Sequence, residues 1–161
     1  MIEHRVAQYL EEEKIRGLAS LFADAANRVD ADQFASLWLE DSVWQIGPPI
    51  DKTFEGRSEI VQAFKGLLLK QWEFFVQMPN AHVINIEANQ ATARSYVNEI
   101  ARAKDGTTNF NLAVYFDELV RDEEKWKFKR RDYRVLYQDS SPIKGIAYQR
   151  DVLPPLSSLT E

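Results

Sequence analysis

The chain of 161 residues contains no cysteine. Disulfides, thiolate metal sites and cysteine nucleophiles are therefore excluded, and a reducing compartment, the cytoplasm, is the expectation. Histidine is nearly as scarce. His4 and His82 are the only two, too few for a three-histidine centre, while the acidic pairs Asp30/Asp32 and Glu123/Glu124 read as helix caps and turns. No metal is expected. No stretch approaches the ~20 apolar residues that a membrane span requires, and Met1-Ile2-Glu3-His4-Arg5 leads into a charged helix rather than an apolar signal segment. No membrane partner is expected. Phosphate loops, dinucleotide fingerprints and nucleophile elbows are also missing, so no cofactor is expected either.

Charge of one sign is weakly in excess, with a formal net charge of −5. The one basic tract, Lys125 to Arg134, interleaves Trp126 and Phe128 with Lys125, Lys127 and Lys129. That alternation is the pattern of a half-buried strand with a solvated face, and a net acidic chain gains little from phosphate attraction. Nucleic acid is not an expected partner.

What is present sorts into helices first and strands after. Val6, Leu10, Ile15, Leu18, Phe22, Ala25 and Val29 recur at helical spacing from about Glu3 to Val29. Asp30 or Asp32 is placed to cap a second, shorter helix carrying Phe34, Leu37 and Trp38 and stopping near Asp41. Ser42 to Ile46 reads as a strand ended by Gly47-Pro48-Pro49. Ser58 is expected to cap a third helix that runs to about Phe74 on the stripe Ile60, Val61, Phe64, Leu67 and Leu68.

After that helix the period becomes two. Segments near 75–87, 91–103, 109–121 and 125–137 are separated by Ala88-Asn89-Gln90, Asp105-Gly106 and Asp122-Glu123-Glu124, all compatible with hairpin turns. Three helices, an inserted strand and an antiparallel meander make an α+β fold in which a curved sheet wraps around N-terminal helices. One domain over 1–137 and an irregular tail over 138–161, which carries Pro142, Gly145, Pro154 and Pro155, are expected.

Polar residues on the concave face of such a sheet are the functional candidates. Along the strand near Phe75 the even positions Val76, Met78, Asn80, His82, Ile84 and Ile86 form the expected inner face, which makes His82 an inward histidine, read either as a base or as a hydrogen-bonded core residue. Trp44, Tyr96, Tyr115 and Tyr133 are strand aromatics suited to lining a cavity and holding a ligand oxygen. Glu99 shares a strand face with Ser95 and Val97 and reads as a raised-pKa acid or as the partner of Arg131 or Arg94. Ion pairing is the favoured role. The alternation slips after Phe128, so a bulge is expected before Arg131.

Three segments carry a resemblance. Phe34-Ala35-Ser36-Leu37-Trp38-Leu39-Glu40-Asp41-Ser42-Val43-Trp44-Gln45-Ile46, the glycine entry Phe54-Glu55-Gly56-Arg57-Ser58-Glu59-Ile60, and Tyr115-Phe116-Asp117-Glu118-Leu119-Val120-Arg121 with Trp126-Lys127-Phe128 together resemble the SnoaL-like branch of the nuclear-transport-factor-like superfamily. The resemblance implies a cone with an internal pocket. It also implies a range of uses, from polyketide cyclases, dehydratases, ketosteroid isomerases and a dehydrochlorinase to binding proteins without chemistry. In the dehydratase and dehydrochlorinase members an aspartate ends the first helix and pairs with a histidine on a later strand. Counting back from Asp41 and from Asn80, the matching positions here hold Asn27 and Val76, so that dyad is missing. Arg131 matches an arginine common near the end of the family's final strand.

The function expected from all this is binding of a hydrophobic, oxygenated small molecule, with a cofactor-free lyase, isomerase or cyclase step by proton transfer. His82 would be the base, Asn27 an oxyanion donor or a helix C-cap, and Trp44, Asn80, Tyr96, Glu99, Tyr115, Arg131 and Tyr133 ligand contacts. The alternative is a non-catalytic ligand-binding or structural oligomeric subunit on the same fold. A homodimer through the outer sheet face is expected, with Val83, Ala93, Val97 and Ala113 on it.

Overall fold

The computed structural model describes residues 2–148 and 153. Helix α1 spans Ile2–Arg28 and ends where Val29 turns left-handed at φ 58. Asp30 then caps α2 (Ala31–Ser36), its carboxylate accepting from the Gln33 backbone N–H at 2.9 Å, which satisfies one of the orphan donors of the first turn. Strand β1 follows at once, Trp38–Ile46, so the second helix stops at Ser36 rather than near Asp41. The reason is long-range: the Leu37 carbonyl accepts from Phe128 N–H at 2.9 Å and Trp38 lies opposite Phe128 in the ladder.

β2 (Lys52–Glu55) pairs with β1, and Gly56, at φ 84, turns the chain into α3 (Arg57–Lys65). Gly56 itself occupies the cap position and no side chain caps this helix, against the expectation for Ser58. Helical structure ends in a π-helical turn, Gly66–Gln71, and the backbone is already a strand at Trp72, where helix to Phe74 was expected. The meander follows as β3 (Trp72–Glu87), β4 (Gln90–Ala103), β5 (Thr108–Asp122) and β6 (Lys125–Asp139). The six strands lie in the order β2-β1-β6-β5-β4-β3, antiparallel except for the β1–β6 pair.

The sheet is curved and unclosed, and the helices fill its concave side. Phe22 of α1 sits at the centre of an aromatic cluster, with ring centroids 5.2 Å from Phe34, 5.5 Å from Tyr115 and 5.9 Å from Phe128. Phe34 stacks on Phe64 at 4.0 Å, which joins α2 to α3. Fully burying each of these rings contributes roughly 1.5–3 kcal/mol, so this cluster fixes how the helices meet the sheet. Trp38, Phe34 and Phe64 are entirely enclosed.

Register shifts set which side chains face inward. β3 slips between Trp72 and Phe74 and again between Pro79 and His82, β1 slips between Trp38 and Val43, β6 carries an extra residue at Lys129, between the Phe128 and Arg130 partners, and another slip lies at Leu112/Ala113. The bulge after Phe128 is the one expected from the broken alternation. Beyond β6 the described tail has no regular structure through Tyr148. Arg102 donates to the Ile143 and Gly145 carbonyls at 2.9 Å each, and Thr108 Oγ1 to those of Ser140 and Ser141. Pro154 and Pro155 lie outside the described residues.

Candidate functional site

A cavity of about 260 Å³ opens between the concave sheet face and the helices. Its helical wall is apolar: Phe22 and Ala26 of α1, Phe34 of α2, Phe64 of α3, and Leu67 and Leu68 of the π-helical turn. Trp72 and Phe75 extend that surface on β3, and the loop residues Pro49 and Ile50, both exposed, form the rim beside Trp44 and Ile46. The opposite wall is polar and belongs to the sheet. Gln77, Glu99, Asn109, Asn111, Tyr115 and Tyr133 line it, one strand after another from β3 to β6. An apolar cavity with a few convergent polar groups is what a small-molecule site requires.

The polar groups form one network around Glu99. Its Oε1 accepts from Gln77 Nε2 at 2.6 Å, and its Oε2 accepts from the Tyr133 hydroxyl and from Asn111 Nδ2, the latter at 3.3 Å. Gln77 Nε2 also donates to the Tyr115 hydroxyl at 2.9 Å, and Gln138 Nε2 to Asn111 Oδ1 at 3.2 Å. Among the described residues no cation faces this carboxylate. Burial pushes the Glu99 carboxyl above the usual range, and the three donors that favour its charged form only partly oppose that. The Tyr115 and Tyr133 hydroxyls are also pushed up, by burial first and then by Glu99. A buried carboxyl with a raised pKa beside two phenols on a cavity wall has the composition of a proton-transfer site.

Four of the expected ligand contacts, Trp44, Glu99, Tyr115 and Tyr133, meet at this cavity. Glu99 is not an ion-pair partner. Arg131 instead faces Asp117, with Nε 3.1 Å from Oδ1, both deeply buried, and Arg94 lies on the outer face against the Tyr96 ring. Arg131 stands behind the cavity rather than in it, its guanidinium carbon 3.7 Å from the centre of the Tyr115 ring and 4.1 Å from that of Phe22. Asp117 is pushed up to about 6 by burial, against the pull of Arg131.

The others stand elsewhere. Tyr96 points to the outer face, because the inner positions of β4 are Ala91, Ala93, Ser95, Val97, Glu99, Ala101 and Ala103. Ala93, Val97 and Ala113, expected outside, are therefore inside, and only Val83 of that group is exposed. Asn80 is exposed and its amide donates to Asn98 Oδ1 at 3.2 Å. The slip after Pro79 explains it: Phe75 and Gln77 face in, Val76, Met78 and Asn80 do not, and the even positions turn inward only from His82.

His82 is half-buried on the inner face but does not line the cavity. Its Nε2 is buried without a hydrogen-bond partner among the described residues, and burial, then Arg131 and Arg16, hold its pKa below the ordinary value. Asn27 is neither a C-cap nor a cavity donor. It lies inside α1, its Nδ2 donates to the Gln77 carbonyl at 2.9 Å, and its Oδ1 accepts from the Gln77 N–H at 2.7 Å, clamping helix to strand. The residue facing Asn27 across that junction is thus Gln77, not Val76.

Gln77 and Asn111 were not among the residues singled out from sequence. Asn111 shares its parity with Tyr115 and was legible from that alternation. Gln77 was hidden by the slip, for which Pro79 was the available signal, since proline inside a strand marks a bulge or an edge. Among the described residues no group of three metal-ligating side chains converges and no helix is long and apolar enough to cross a membrane.

This architecture is shared with solved structures. A hexachlorocyclohexane dehydrochlorinase (LinA-type3) from Novosphingobium barchaimii superposes with a TM-score of 0.77 at 20% identity, over 94% of this chain and 99% of that one. A scytalone dehydratase-like protein from Novosphingobium aromaticivorans gives 0.76 at 20% identity, over 90% and 95%. An NTF2-like protein with a cystatin-like fold from the same species gives 0.69 at 21% identity, over 95% of both. At these identities the likeness establishes the fold. No curated protein matches the chain. Residues 7–132, most of the cone from α1 into β6, match the SnoaL-like domain, and the chain belongs to that family.

Proposed function

We propose that this protein binds a hydrophobic, oxygenated small molecule in the cavity and moves a proton on it without a cofactor, as a lyase or isomerase. Glu99 is the acid/base in this reading, with Tyr115 holding the ligand oxygen and Tyr133 holding Glu99. One observation carries it: a carboxyl group enclosed in an otherwise neutral cavity, without a cation and with its pKa raised by burial. The dehydrochlorinase and the dehydratase-like protein of the same fold support a lyase or isomerase class. His82 and Asn27 have no part in it, since neither lines the cavity.

The test uses a carbon acid of fitting size. Native protein incubated with 2-tetralone in D2O should accelerate exchange of the α-hydrogens followed by NMR, and Glu99→Gln should abolish that acceleration even at saturating ketone, because glutamine keeps shape but takes no proton. Equal exchange in both proteins would remove Glu99 from the mechanism.

The non-catalytic reading has its own support in the Asn27–Gln77 clamp, which occupies with amides the junction where the resemblance implies an Asp/His dyad. Binding without any exchange in the native protein would favour it. Homodimerisation through the outer sheet face is part of the proposal, as is cytoplasmic residence, which the lack of cysteine supports.

A further inference from the structure

We propose that Gln77 sets the hydrogen-bond polarity of the cavity, making Tyr115 an obligate donor to a neutral ligand's acceptor oxygen when Glu99 is ionised and withdrawing that donor when Glu99 is protonated. The inference rests on the cavity reading above and names the ligand class the cavity takes. It follows from counting protons. Gln77 Nε2 lies 2.6 Å from Glu99 Oε1 and 2.9 Å from the Tyr115 hydroxyl oxygen, so one amide nitrogen serves both. An ionised carboxylate only accepts, which forces the Gln77 NH₂ toward it. The Tyr115 oxygen is then occupied as an acceptor, and its own hydrogen has no protein acceptor among the described residues. Tyr115 lines the cavity, so that hydrogen is available to a ligand there.

Protonation reverses the chain. A neutral Glu99 carrying its proton on Oε1 donates it to the Gln77 side chain, which turns its oxygen to that side. The same oxygen then faces the Tyr115 hydroxyl, which donates back to it and is lost to the ligand. Amide rotation exchanges the roles without moving any strand.

Among the described residues no cation and no second carboxylate faces Glu99. Glu99 faces Gln77 from β3, Asn111 and Tyr115 from β5, and Tyr133 from β6. The helices over the cavity present only uncharged residues to it, and the nearest cation, Arg131, lies behind the Tyr115 ring paired with Asp117. Tyr133 remains a donor to Glu99 in both states and does not report the change. With no cationic lining residue, the ionised cavity also disfavours carboxylates and phosphates.

The experiment compares 2-tetralone with tetralin, the same skeleton without the oxygen, by tryptophan fluorescence titration from about pH 9 to about pH 5, a span that covers raised glutamates. In native protein the ketone should bind roughly five- to tenfold tighter than the hydrocarbon at the alkaline end, the worth of one hydrogen bond, and the preference should collapse toward unity at the acid end. Tyr115→Phe should abolish the preference at every pH. Gln77→Met, similar in shape but without donor or acceptor, should leave a preference that no longer depends on pH, since Tyr115 is then free of Glu99. The native pH profile alone keeps the proposal testable if a variant fails to fold. Equal affinity for both probes at every pH, or a ketone preference in native protein that ignores pH, overturns the inference while leaving the cavity as a binding site. Failure of both probes to bind overturns the cavity reading, and this inference with it.

Discussion

At the scale of single residues, side chains of similar shape divide sharply by whether they can donate. Asn27 holds the Gln77 peptide by giving one hydrogen bond and taking another, at 2.9 and 2.7 Å. An aspartate there could still accept from the Gln77 N–H, but its other oxygen would face the Gln77 carbonyl with no hydrogen between them. Asn27→Asp should therefore destabilise the fold by ~1–3 kcal/mol, the cost of two part-buried oxygens facing each other without a hydrogen. For a domain of this length that is a fall in Tm of roughly 2–4 °C per kcal/mol in a thermal melt. Combining it with Val76→His should not create a dyad, because Val76 lies on the face away from Asn27. An unchanged Tm in Asn27→Asp would show that the bidentate clamp is not holding the helix. His82 illustrates the same division from the other side: an inward histidine was legible, but whether it reached the cavity depended on helix α1 covering it, which no local pattern records.

Elements were legible where one face is buried and one is wet, and illegible where a distant partner or a slip decides. The stripe Ile15, Leu18, Phe22 gave α1, and the period-two segments gave the meander and its turns. Trp38 continued a helical pattern in sequence yet became a strand because its backbone pairs with Phe128. Leu67 and Leu68 likewise fitted a helix continuing to Phe74, while the backbone widens into a π-helical turn and yields to β3 at Trp72, opposite Ala103. The slip after Pro79 cost more, since one residue of register moves every side chain to the other face. It hid Gln77 and put Asn80 on the wrong side. Turns are the elements where strain is most directly readable. Ala88, in the connection between β3 and β4, is exposed and sits at φ 56, a conformation that costs an alanine roughly 1–2 kcal/mol and asparagine less. Ala88→Asn should raise stability by about 0.5–1 kcal/mol, seen as a higher denaturant midpoint with an unchanged slope. A lower midpoint would mean that the turn is held by something other than its backbone.

At the scale of the whole molecule, the concave side of the sheet is filled and the convex side is not. Met78 and Val83 of β3, Tyr96 of β4, Phe110, Leu112 and Phe116 of β5 and Tyr137 of β6 are all exposed. Seven large apolar side chains spread over four adjacent strands are more than scattered surface hydrophobics, and such faces mark association sites. The residues differ from those expected, since Ala93, Val97 and Ala113 lie inside and the aromatic rings of Tyr96, Phe110 and Phe116 stand outside in their place. The face is neighboured by charges of both signs, Arg94 beside Tyr96 and Glu118 two residues after Phe116 on the same side of β5. A two-fold pairing brings the same patch against itself, so opposite charges can meet across it while the rings are buried. A second copy of this chain is thus the occupant proposed for the surface. Light scattering at micromolar concentration should give twice the 18.7 kDa chain mass. Phe116→Lys should shift that mass toward the monomer, because it sets two ammonium groups into an interface that excludes water. The same variant should keep its affinity for 2-tetralone, since Phe116 lies on the face opposite the cavity. A native protein that stays monomeric throughout would refute the pairing, and a Phe116→Lys variant that remains dimeric would move the interface off this face.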